Sequence, residues 1–123
     1  MTGCVNKVIL IGTLQGAPLV RINHTGSAMV SFNLATSDKW KDRRTGAERV
    51  RVERHRIVVF NPDLVAVARD KLHNGSRTYL EGVLQTRKWT DEEGLPRVSI
   101  EIVLDHDRGA LVPLDTAATS AAA

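Results

Sequence analysis

The sequence predicts an all-β domain with one helix, closed as a five-stranded barrel. Three observations carry that prediction. Apolar and polar residues alternate with period two in several short stretches, separated by turns rich in Gly, Asn and Asp. One segment alone switches to helical spacing. The order is three strands, the helix, then a two-strand hairpin. Length agrees, since 123 residues supply one core and no second. A domain of that size folds without covalent staples.

Residues 5–14 are β-rich and bounded by Gly12 and Gly16. Residues 19–23 and 28–36 flank His24-Thr25-Gly26-Ser27, a hairpin signal. In the second of these, Val30, Phe32 and Leu34 alternate with Ser31, Asn33 and Ala35, the mark of a half-buried strand. A basic segment with its own turn, Arg44-Thr45-Gly46, leads into a strand over 50–60. Asn61-Pro62 then opens the helix, because Asn caps well and Pro suits the first helical position. Leu64, Val67, Ala68 and Leu72 share a helical face, and Asn74-Gly75 ends it with Gly75 as a left-handed C-cap. A long strand follows over 78–89, with Leu80 and Leu84 as core, then a polar turn at 90–96. The returning strand spans 98–104, where Val98, Ile100, Ile102 and Leu104 face one way. After Leu104 the β signal fades. A helix between strands three and four is the order of the OB-fold. Strands with one helix also permit an α+β sandwich. The expected domain spans 1–112, and 113–123 is a short low-complexity tail expected to be mobile.

Composition excludes several classes. At 42% hydrophobic and 25% charged, the chain is no disordered tail. A single cysteine, Cys4, makes no internal disulfide and suits a reducing compartment. The apolar run at residues 8–11 is far too short for a membrane span or a signal peptide. A cytoplasmic location is therefore expected, with a mitochondrial one the alternative, and no membrane contact. His24, His55, His73 and His106 are scattered without metal-ligand spacing, and Cys4 has no partner to make it a nucleophile. The glycines form no phosphate-cradling motif. Asp91-Glu92-Glu93 and the pair Asp105 and Asp107 read as solvated turn and strand-end carboxylates. No catalytic residue, metal or cofactor is assigned.

Charge is unevenly placed. The net of +3 resolves into a strip from Lys39 to Arg56, eight basic residues against three acidic, and a slightly acidic remainder. Such a strip attracts polyanions, or it is a solvated loop. Trp40, between Lys39 and Lys41, favours the first reading, since an indole poorly suits a merely soluble loop. Along the following strand, Val52, Arg54, Arg56, Val58 and Phe60 share a face, mixing guanidinium groups with a ring. Phe60 also suits packing under the helix start. Arg87-Lys88-Trp89 repeats the basic-plus-indole pairing. One tryptophan is usually core; two basic-flanked indoles among five aromatics suggest a surface for unpaired bases. Stacking on a ring contributes about 1–3 kcal/mol per base and tolerates any sequence. Duplex DNA hides its base faces, so single-stranded DNA is the expected partner.

In this order and spacing the residues resemble the bacterial and mitochondrial single-stranded DNA-binding proteins, over roughly residues 5–104. Val5-Asn6-Lys7-Val8-Ile9-Leu10-Ile11-Gly12 looks like that family's first strand, and Phe32-Asn33-Leu34-Ala35-Thr36 with Trp40 like its second. Glu53-Arg54-His55-Arg56 and Phe60 sit where the family has a Glu-Trp-His-Arg motif and a following Phe. Gly75-Ser76 through Glu81-Gly82, and Thr86-Arg87-Lys88-Trp89-Thr90-Asp91 with Gly94, match its fourth strand and hairpin.

The resemblance implies an OB-fold homotetramer that binds and protects single-stranded DNA in replication, recombination or repair. It implies stacking by Trp40, Phe60 and Trp89 and phosphate contacts by Lys7, Arg56, Arg87 and Lys88. First strands would pair between subunits, with His55 and Tyr79 near those contacts. Two departures stand out. Arg54 replaces the family's usual aromatic, though a guanidinium also stacks on a base. The end, Thr119-Ser120-Ala121-Ala122-Ala123, is uncharged, so recruitment of repair or replication enzymes through an acidic tip is not expected. The alternative function is an OB-fold primosomal adaptor acting mainly through protein partners.

Overall fold

The computed structural model describes residues 3–105 and 109–114; the expected tail beyond 114 and Asp107 lie outside the described residues. Strands β1 (Val8–Ile22), β2 (Ala28–Lys41) and β3 (Glu48–Val59) precede helix α1 (Pro62–Lys71). Strands β4 (Arg77–Thr90), β5 (Pro96–Leu104) and β6 (Ala110–Pro113) follow it. The sheet runs β1-β2-β3-β5-β4, and β4 pairs back onto β1, so the first five strands close a barrel. This is the OB-fold, with the helix between β3 and β4. All pairings are antiparallel except β3 with β5.

Closure depends on strands that change partner midway. β1 pairs with β4 from Val8 to Thr13 and with β2 from Thr13 to Ile22. β4 leaves β1 at Gly82 and joins β5 at Val83. Glycine stands at both corners for want of space: a Cβ on Gly12 would lie 2.4 Å from the Ala35 carbonyl oxygen, and one on Gly82 2.7 Å from that of Val103. Such close backbone approach is a usual reason for glycine inside a strand. Gly12 and Gly16 were expected to bound the first strand; instead β1 runs through both, with a register shift between Gln15 and Leu19.

Inside the barrel Leu14, Val30, Leu34, Ile57, Val59, Leu80 and Leu104 are sealed from solvent. Each such side chain stabilises the fold by about 1.5–3 kcal/mol relative to exposure. Val30, Phe32 and Leu34 of β2 are buried as expected, but Ser31 on the other face is buried too, so the strand is half-buried only from Asn33 on. Helix α1 adds Val65, Ala68 and Leu72 to the core. Asn61 caps it as expected, its side chain accepting from the Asp63 and Leu64 N–H groups. The other end differs. The helix stops at Lys71, and Gly75 lies beyond it in a turn, donating its N–H to the Leu14 carbonyl oxygen at 3.0 Å.

Two further expectations change. Leu84 is 48% exposed, not core, because β4 has parted from β1 at Gly82 and no described element covers that face. Val98 and Ile100 are exposed because they precede the stretch of β5 that pairs with β3, whereas Ile102 and Leu104, within it, are buried. The chain also forms a further strand after Leu104: β6 pairs with Thr78–Glu81 of β4, and the Thr78 hydroxyl donates to the Val112 carbonyl oxygen at 2.9 Å.

Candidate nucleic-acid interface

One side of the barrel gathers cations around a ring. Arg54, Arg56 and Val58 share a face of β3, and Phe60 follows as the strand ends, its N–H bonded to the Leu104 carbonyl oxygen at 2.8 Å. On the neighbouring hairpin Arg87, Trp89 and Glu101 share a face through the β4–β5 register, in which Arg87 opposes Ser99 and Gln85 opposes Glu101. A groove of about 220 Å³ results, lined by Arg21, Met29, Arg56, Val58, Phe60, Arg87 and Glu101.

Glu101 organises the groove. Its carboxylate is almost fully buried and accepts from Arg56 Nε at 3.0 Å, with Arg87 Nη1 at 3.7 Å. Two guanidinium groups that would repel are thereby held side by side over one buried anion. Each retains N–H donors for a phosphate. Arg54 lies along the same face of β3, its Nε donating to Gln15 Oε1 at 2.6 Å.

The aromatics reach solvent. Trp40 is 45% exposed, Phe60 40% and Trp89 44%. Phe32, by contrast, is core. The two indoles occupy different faces of their ribbons. Trp89 shares its face with Arg87, whereas Lys88 points to the other side with Leu84 and Ile100. Trp40 opposes Arg49, so it stands on the strand face that lines the core further along β2, opposite to Lys39 and Lys41. Arg51 lies over the Trp40 ring at 5.6 Å from its centroid, a cation–π contact that steadies the indole. A long two-stranded ribbon twists strongly, so its faces turn as it leaves the barrel.

The hairpin tips are built by their turns. Asp91 accepts from the N–H groups of Glu93 and Leu95, both at 2.9 Å, and from Arg97 Nε at 2.7 Å. These bonds, Leu95 foremost, hold its carboxyl below the ordinary value of 3.8. They fix the turn next to Trp89. Lys7 is placed apart from the groove lining. It pairs with Glu81 at 3.1 Å, and Glu81 also accepts the Tyr79 hydroxyl. That hydroxyl bond, then Lys7, lowers the Glu81 carboxyl, and the same bond raises Tyr79.

Sequence reasoning missed Arg21, Met29, Arg51 and Glu101. Glu101 left a signal, as a lone acid within the apolar run from Val98 to Leu104. Arg21 and Met29 come together across the β1–β2 register, which no local pattern reveals.

Among the described residues no group of three His, Cys, Asp or Glu side chains could hold a metal. No helix among them is long and apolar enough to cross a membrane. A closed barrel with a cationic groove and half-exposed rings is an OB-fold of the strand-binding kind. The model of the single-strand binding protein family matches residues 5–108, and the chain belongs to that family. It is 41% identical over 116 residues to the single-stranded DNA-binding protein of Rickettsia felis, covering 94% of this chain and 76% of that one. The counterpart from Rickettsia typhi is 41% identical over 115 residues, with the same shares covered. Among solved structures, the Plasmodium falciparum SSB complex with ssDNA superposes with a TM-score of 0.85 at 35% identity, covering 94% of this chain and 99% of that one. A deletion mutant of the Thermus aquaticus single-stranded DNA binding protein gives 0.73 at 28% identity, over 90% of this chain and 51% of that one. The family is one of binding proteins, not of enzymes.

Proposed function

We propose that this chain binds single-stranded DNA without sequence preference and shields it during replication, recombination or repair. The observation that carries this is the groove where Phe60 lies among Arg21, Arg56 and Arg87, with Trp89 on the adjoining ribbon. Bases stack on Phe60, Trp40 and Trp89, and Arg54 offers a planar cation to a further base. Phosphates meet Arg56, Arg87 and Lys88, with Lys39, Lys41 and Lys7 adding to the positive field. Duplex DNA gives none of the stacking.

Assembly as a homotetramer is part of the proposal. Ile9 and Ile11 are exposed on the first stretch of β1, which pairs with β4 on one edge while its pairing with β2 begins only at Thr13. An apolar strand with an open edge suits pairing with a second copy. The adaptor alternative is less favoured, since an adaptor needs neither exposed indole.

Titration of tryptophan fluorescence with oligo-dT and with matched duplex, at two salt concentrations, tests the reading. Quenching by oligo-dT that weakens with salt is expected. Absence of quenching, or an equal response to duplex, overturns it. Light scattering on the same samples reads the assembly.

A further inference from the structure

Phe60 walls two hollows. One is the groove described above. The other is a cavity of about 500 Å³ between the β1–β2 turn and helix α1. Met29 also lines both, so the hollows adjoin across these two side chains. The size falls within the usual range of about 300–1,000 Å³ for small-molecule sites.

The lining has three kinds of surface. Phe60, Val65 and Ala66 make an apolar wall. Asn23 and Ser27 form a polar rim on a hydrogen-bonded turn. The Asn23 carboxamide oxygen already accepts from Thr25 and from the Ser27 N–H, which leaves its NH₂ group as the donor for a ligand edge. Arg69 closes the site from the helix. Its contact with Asp70, 3.2 Å, uses Nε and is exposed, which leaves the terminal nitrogens for an anion. Exposed pairs of this kind contribute little. An apolar wall, a hydrogen-bonding rim and a guanidinium correspond to the face, edge and phosphate of one nucleotide.

We propose that this cavity is a second nucleotide seat, taking the unit next to the one stacked on Phe60, with Arg69 as its phosphate contact. The strand therefore leaves the groove across Phe60 toward α1 rather than ending there. This inference rests on the proposed binding of single strands.

Anisotropy of labelled oligo-dT tests it, using lengths of about 4 and about 16 nucleotides, the ends of the range for one OB-fold. Arg69→Ala is expected to weaken the long oligonucleotide by about three- to tenfold. It also flattens the slope of log affinity against log salt by about 0.7, one phosphate on a single strand. Ala66→Leu fills the floor and weakens the long oligonucleotide without altering the slope. Both losses appear on the short one as well, since about 4 nucleotides reach from Phe60 into the adjoining seat. Wild-type affinity of both variants for both lengths overturns the seat alone. Failure of the wild type to bind either length overturns the binding reading and this one with it.

Discussion

Strands β2 and β3 lead two lives. Near the barrel, Val30, Leu34, Ile57 and Val59 are sealed; further out, from Ser37 to Lys41 and from Glu48 to Arg54, both faces of the same ribbon are exposed. β4 and β5 repeat the pattern, with Leu80, Ile102 and Leu104 inside and Leu84, Val98 and Ile100 outside. In β5 the alternation of Val98, Ile100, Ile102 and Leu104 runs unbroken across the boundary, so burial there changes because the barrel ends and not because the sequence does. β2 and β3 also become charged as they leave the barrel. The groove sits where the buried halves give way to the free ones, so it takes rigidity from one and reach from the other.

The sharpest way to break this contrast is to truncate matched residues in the two regions. Leu34→Ala should cost about 2–5 kcal/mol, as for other buried leucines. Ile100→Ala should stay within about 0.5 kcal/mol, being an exposed position. Urea denaturation of the isolated chain reads both, and a similar loss at Ile100 would show that the ribbon is covered in solution.

Binding should respond in the opposite sense. Trp89→Ala and Trp40→Ala should each weaken oligo-dT by about 1–3 kcal/mol, one stacked base apiece. Their melting temperatures should stay near wild type. A smaller change sharpens the comparison at its junction. Arg54→Trp should tighten binding by up to about tenfold. It should also flatten the salt slope by about 0.7. No change in either measurement removes Arg54 from the binding surface.

The smallest effect concerns the outer tip of the β4–β5 ribbon. The Asp91 carboxyl is held below 3.8 when folded, so the stability it contributes is present above that pH and lost as pH falls through its lowered value. NMR shifts of the Glu93 and Leu95 amides should follow that titration in wild type and not in Asp91→Asn. The barrel core should hold its shifts through the same step.

Much of this was legible in the sequence. Asn61-Pro62 marked the helix start through local hydrogen bonding and a fixed φ. The alternation of Val30, Phe32 and Leu34 marked a strand, and Trp40, Phe60 and Trp89 stood out as rings beside cations. Other features could not be read there. Gly12 resembles a strand end until a carbonyl from β2 is seen where its Cβ would go. Leu84 has the same local pattern as Leu80, and only the absence of a covering element separates them. Glu101, Arg56 and Arg87 lie far apart in the chain and meet only through the β3–β5 and β4–β5 ladders.

By itself, then, the sequence determined which segments are strands, where the helix begins and which residues bring rings and charge, because period, capping and side-chain chemistry are local. The tertiary structure alone decided which apolar residues are core, which cations share a groove and on which face each indole stands. Those outcomes depend on register, twist and closure, which arise only when strands distant in the chain are hydrogen-bonded together.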